Sequence, residues 1–239
     1  RYSQRWPGEG NGTASDPYLI KTIDDMNTIY NKWHDENQSF QGKFFRMEND
    51  LEYDITQENN FQTIGSLHAP FEGVFDGNGH TISGLNFKNR NGFDAALFST
   101  LGENGGVKNL TITNSSFVDH GRVTPFVWRN YGTILNCHAT ESVSVYGTKD
   151  EYGGAGSLFG ISGQQLRNSK ILGCTFAGKI DSDDDSYGGI AGITSAIDER
   201  QTVKGCLFTG NLRTGFNETG AISDLRYPGA ENSVNDSYY

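Results

Sequence analysis

The chain has 239 residues, a formal net charge of −10, 35% hydrophobic residues and 31 glycines. Its acidic balance provides no basic stripe to displace counterions, which argues against nucleic acid as a partner. No apolar run approaches the ~18–20 residues of a membrane span, and a start at Arg1 in place of Met points to a chain from which a leader has been removed. Three cysteines cannot all pair with one another, so cysteine usage leaves the compartment open.

Residues 1–17 are polar and turn-rich (Trp6-Pro7-Gly8, Asn11-Gly12, Asp16-Pro17) and read as an extended arm. Tyr18-Leu19-Ile20 is a short strand candidate. One helix follows. Thr22 with Asp25 forms a capping-box-like start, and Ile23, Met26, Ile29, Tyr30 and Trp33 fall on a single apolar face. Asp35-Glu36-Asn37 ends it. A lone amphipathic helix ahead of β repeats is most simply a lid over the first coil, covering an edge that would otherwise recruit another chain. Leu51, Tyr53 and Ile55 then alternate as a strand does, and Phe61 to Ile64 reads as another.

From Phe71 onward a repeat takes over. Ile82-Ser83-Gly84-Leu85 sets a pattern of a β-branched residue, any residue, a turn-forming residue and a core-sized one. It returns as Val107-Lys108-Asn109-Leu110, Ile134-Leu135-Asn136-Cys137, Ile171-Leu172-Gly173-Cys174, Val203-Lys204-Gly205-Cys206 and Val234-Asn235-Asp236-Ser237. Each anchor is followed by a second alternating strand and, further on, by a third rich in small residues, such as Ala95-Ala96-Leu97-Phe98 or Gly189-Ile190-Ala191-Gly192. About three short strands per turn, each parallel to its counterpart one period on, describe a parallel β-helix. The expectation is an all-β, right-handed parallel β-helix of about six or more coils with an N-terminal amphipathic capping helix. It forms a single elongated domain over 1–239, with arm, helix and first strands in 1–60 and coils in 61–239.

Phe61-Gln62-Thr63-Ile64-Gly65, the block Phe71-Glu72-Gly73-Val74-Phe75-Asp76-Gly77-Asn78-Gly79-His80-Thr81-Ile82, and the later Leu158-Phe159-Gly160 and Gly189-Ile190-Ala191-Gly192 resemble GLUG-motif repeat proteins. They are also similar to the non-catalytic β-helical repeat region of immunoglobulin-A-cleaving metallopeptidases. The resemblance implies a right-handed β-helix on a secreted or surface-anchored bacterial protein. The chain departs from the motif's final glycine at Ser99, Val127 and Ser223.

No His-Glu-x-x-His motif occurs, so the protease activity of those relatives does not carry over. The five histidines are scattered, and His80 reads as a turn or core-edge residue. Insertions sort by edge. One ridge collects acidic loops, including Asp181, Asp183 and Asp185, which open like a calcium loop but lack its glycine and final glutamate. These three are the candidate metal ligands, with calcium as the one cofactor considered. A second ridge collects Trp128, Arg129, Tyr131, Arg226 and Tyr227 as exposed aromatics beside arginines, the candidate ligand-binding set.

The functional expectation is a secreted or surface-displayed, non-catalytic binding or adhesion module for a glycan or host protein. A polysaccharide-degrading lyase or hydrolase on the same fold is the alternative, and a structural spacer the next. Cys137, Cys174 and Cys206 share one slot and are expected as three free, inward-facing thiols.

Overall fold

The structure, a computed structural model, describes residues 5–89, 94–149, 156–183, 189–195, 197, 199–212, 219–223 and 234–235. Among the described residues its strands stack in parallel into a β-solenoid of about five turns. A representative coil runs through Gly106–Lys108, Thr111–Thr113, Ser115–Asp119, Arg122–Val123 and Val127–Asn130 before re-entering the first sheet at Thr133–Leu135. Each of these strands belongs to a different sheet, so the coil has five faces where three were expected. Among the described residues the sheets of the first to fifth faces hold 8, 6, 5, 4 and 3 strands respectively.

The corners explain the recurring turn residue. Asn109, Asn136, Gly173 and Gly205 adopt φ of 52°, 51°, 62° and 63° at the bend from the first face to the second. Asparagine and glycine reach the left-handed region more readily than other residues. Asn136 Nδ2 donates to Asn109 Oδ1 at 2.9 Å, so part of this corner is a side-chain ladder.

The first repeat unit departs from the expected register. Phe75 is the parallel partner of Val107, and Ile134, Ile171, Val203 and Val234 continue that column. Ile82 instead pairs with Ile112 on the second face. Leu85 lies one corner further on, its backbone N–H donating to Ser115 Oγ at 3.1 Å, and so does not share the cysteine slot. The confusion has a physical source. Gly84, with φ of 76°, makes the next corner with the same left-handed chemistry, and a Cβ there would lie 1.9 Å from the Tyr53 carbonyl oxygen. Two corners built alike look alike in sequence.

The bore is filled by one continuous cluster that includes Phe45, Phe75, Phe87, Phe117, Ile134, Ile171 and Phe176, all fully buried. Cys137, Cys174 and Cys206 sit in it, free and buried, in the slot that Leu110 opens. Burial pushes the Cys174 thiol pKa well up, as expected of an inert filler.

At the N-terminal end the helix Ile23–Glu36 starts with a complete Thr22–Asp25 capping box and stops at Asn37 in the left-handed conformation. Met26 and Ile29 are buried in the main core, with Ile23, Tyr30 and Trp33 packed at its margin. The preceding segment is no free arm. Trp6 is buried, stacked on Tyr18 with ring centroids 5.0 Å apart and edge-on to Phe45.

Candidate functional site

Of the expected aromatic ridge, Trp128 does not face solvent. Trp128 is only 4% exposed. The segment read as a loop is the strand Val127–Asn130, and the indole packs outside the bore against Phe159 and Ala191. Gly163 leaves the room for it, since a Cβ there would meet the indole at 2.3 Å. The Arg122 guanidinium lies over the ring at 5.8 Å from its centroid. Trp128 therefore seals a corner between coils. Tyr131 is half-buried with Arg167 at 5.7 Å from its ring, and Arg167 pairs with Glu103. Arg226 and Tyr227 lie outside the described residues.

On the acidic ridge, the start of the stack is regular: Thr148 N–H donates to Asp119 O and Asp183 N–H to Gly147 O. Asp181 is engaged by Lys179 at 3.1 Å and accepts from the Ser182 N–H at 2.8 Å. Asp183 is exposed, and Asp185 lies outside the described residues. Among the described residues no group of three or more His, Cys, Asp or Glu side chains is arranged to hold a metal.

Arg129 belongs to a different feature, a groove of about 600 Å³ between the capping helix and the outer side of the fourth and fifth faces. Three parts of the chain meet there. The helix contributes Tyr30, Trp33 and His34; the segment before the first full coil contributes Gln62, Thr63 and Gly65 to His68; successive coils contribute Asp94, Ser99, Arg122 and Arg129. Trp33 is held in place by donating its Nε1–H to Ala69 O at 2.9 Å, and Tyr30 stacks on His34 at 5.3 Å. Leu67 stands at the mouth, 50% exposed.

The floor is polar. Asp94 is 5% exposed, and its carboxylate accepts a hydrogen bond from Ser99 and stands beside two guanidiniums. Arg122 Nε lies 2.6 Å from Oδ1, Ser99 Oγ donates to Oδ2 at 2.5 Å, and Arg129 Nη1 stands 3.9 Å from Oδ2. A buried carboxylate needs such partners, because an unpaired charge there is costly. Burial first, and next the charge of Arg122, lower the Arg129 pKa, with Asp94 acting in the opposite sense. A pocket of this size, with aromatic walls and few convergent polar groups, is the usual form of a small-ligand site.

Sequence reading found Arg129 and missed its companions. Arg122, which closely follows Asp119 in the chain, lines the groove. Tyr30 and Trp33 were assigned to the cap alone, and Asp94 drew no notice beside the small-residue strand it precedes. A charged residue flanking a buried strand on two successive coils was the available signal.

The fold and groove define a capped parallel β-solenoid with a ligand-sized cleft on its flank. Over 142 residues the chain is 32% identical to the halomucin of Haloquadratum walsbyi, a match spanning 56% of this chain and 2% of that protein. It is 30% identical over 133 residues to a candidate Gly-rich membrane protein of Evansella cellulosilytica, spanning 53% of this chain and 15% of the other. The chain thus covers a small part of the length of either relative. A crystal structure of a candidate immunoglobulin A1 protease from Bacteroides ovatus superposes with a TM-score of 0.53 at 16% identity, over 96% of this chain and 86% of that one. At that identity the likeness is one of fold. No protein-family model matches the sequence, so the GLUG resemblance rests on the residues quoted for it. Among the described residues no helix is long and apolar enough to cross a membrane.

Proposed function

We propose that this chain is a module of a cell-surface or extracellular protein that binds glycan in the groove beside its capping helix. The observation that carries the reading is the meeting of Tyr30 and Trp33 with Asp94, Arg122 and Arg129 around one cavity of about 600 Å³. Flat aromatic walls accept the apolar face of a pyranose ring, and fixed polar groups orient its hydroxyls. The surface location is supported by the character of the two relatives, a halomucin and a candidate membrane protein. Among the described residues the lining of the groove holds one carboxylate, Asp94. Hydrolysis by paired acids needs two, so binding is favoured over hydrolysis in this groove.

A glycan array tests the reading, comparing the natural chain with Leu67→Trp. Leu67 is exposed at the groove mouth, so a larger side chain there obstructs entry without disturbing the core. The expected result is binding to a restricted set of sugars that disappears in the variant at an unchanged melting temperature. Binding unaffected by Leu67→Trp would place the ligand elsewhere.

A further inference from the structure

The chain carries a net charge of −10, yet among the described residues the lining of the groove brings two guanidiniums, Arg122 and Arg129, to one carboxylate, Asp94. The two histidines of the lining stand at its edge, and His34 is paired with Asp35 at 2.7 Å. Within the groove, two guanidiniums share one carboxylate unequally. Arg122 and Ser99 hold Asp94 closely, whereas Arg129 stands off at 3.9 Å. Arg129 also bears the cost of partial burial and of a like charge beside it. A second anion beside Arg129 would offset both costs.

Geometry narrows the kind of anion. A guanidinium presents a planar fork of N–H donors that a carboxylate matches with two parallel hydrogen bonds. Tyr30 and Trp33 line the same cavity, which suits an anion carried on a partly apolar ring. Resting on the reading of the groove as a glycan site, we propose that its ligand is an acidic sugar. The ring of a uronic acid residue lies along Tyr30 and Trp33, and its carboxylate pairs with Arg129.

The test is calorimetric titration of the natural chain with four short oligosaccharides: a galacturonic acid oligomer, its methyl ester, the neutral galactose oligomer and a sulfated galactose oligomer. The acid is expected to bind about tenfold or more tightly than its ester, the effect of losing a charge-assisted hydrogen bond. Arg129→Gln removes the preference, and Arg129→Lys, which keeps the charge and loses the fork, removes most of it. Melting curves show whether these variants remain folded, and the acid–ester comparison needs no variant. Equal affinity for acid, ester and neutral oligomer overturns the acidic-sugar assignment while the glycan reading stands. Tighter or equal binding of the sulfated oligomer overturns the carboxylate assignment. Failure of all four to bind removes the glycan reading and this inference with it.

Discussion

Phe75 and Val107 are direct parallel partners on the first face of the solenoid, both fully buried in the bore. This pair joins the capped N-terminal end to the repeat, so it should be energetically sensitive. Phe75→Ala is expected to cost about 3–5 kcal/mol. A double-mutant cycle of Phe75→Leu with Val107→Ala should give a coupling of about 0.5–3 kcal/mol in denaturant unfolding, since contacting residues fail to add. Strict additivity would mean that the two side chains are not neighbours.

The capping helix contributes through few residues. Ile29 is fully buried, so Ile29→Ala should cost about 2–5 kcal/mol. Trp33 is half-buried and tied to Ala69, and its loss should cost less, about 1–3 kcal/mol. Both variants should melt lower and associate through the uncovered coil. A monomeric elution profile with an unchanged melting curve for Ile29→Ala would show that the helix is not a cap.

The three thiols are free, fully buried and stacked in one slot. Thiol titration should therefore find almost none reactive in the native protein and all three after unfolding. Cys174 Sγ lies within hydrogen-bond reach of the Leu172 and Ile134 carbonyls, at 3.5 and 3.8 Å, so Cys174→Ser keeps acceptors at hand. Its cost should fall short of that of an unsatisfied buried hydroxyl, about 1–3 kcal/mol. Rapid native labelling of any of the three would contradict the burial.

His138 makes stability depend on pH. Burial lowers its pKa below the ordinary 6.5, and its two ring nitrogens contact Thr175 Oγ1 and Asn136 Oδ1, each at 2.7 Å. The unfolded chain then binds the proton more readily than the folded one. The contribution of His138 is fully present above pH 6.5 and is lost as pH falls from there towards the lower folded value. His138→Thr, which copies its ladder neighbours Thr111 and Thr175, should flatten this part of the pH–stability curve. Identical curves for the two proteins between about pH 7 and 4.5 would show that His138 titrates alike folded and unfolded.

Calcium should bind weakly if at all, because Lys179 already neutralises Asp181. Calorimetric titration through the millimolar range should yield no saturable heat. A saturating isotherm, abolished by Asp181→Asn, would instead establish Asp181 as a ligand, with Asp183 and Asp185 the next positions to test.

Much of the architecture is local and hence legible. An alternating strand, a residue able to adopt the left-handed conformation and a core-sized side chain recur wherever a coil turns its first corner, so parallel stacking and the inward cysteines follow from sequence alone. The capping helix follows from its apolar stripe and its Thr22–Asp25 start. Tertiary structure decided which corner each motif occupies, because Gly84 and Asn109 make different corners with the same backbone chemistry. It also buried Trp128 against the outside of the next coil, since the space beside Gly163 belongs to that coil and leaves no trace near Trp128 in sequence. The groove is its product too. Tyr30, Ser66, Asp94 and Arg129 meet because the helix folds back over the coils, and the unequal turn lengths set which side chains of successive coils come together. Periodicity records whether a side chain faces in or out; its neighbours are settled by stacking.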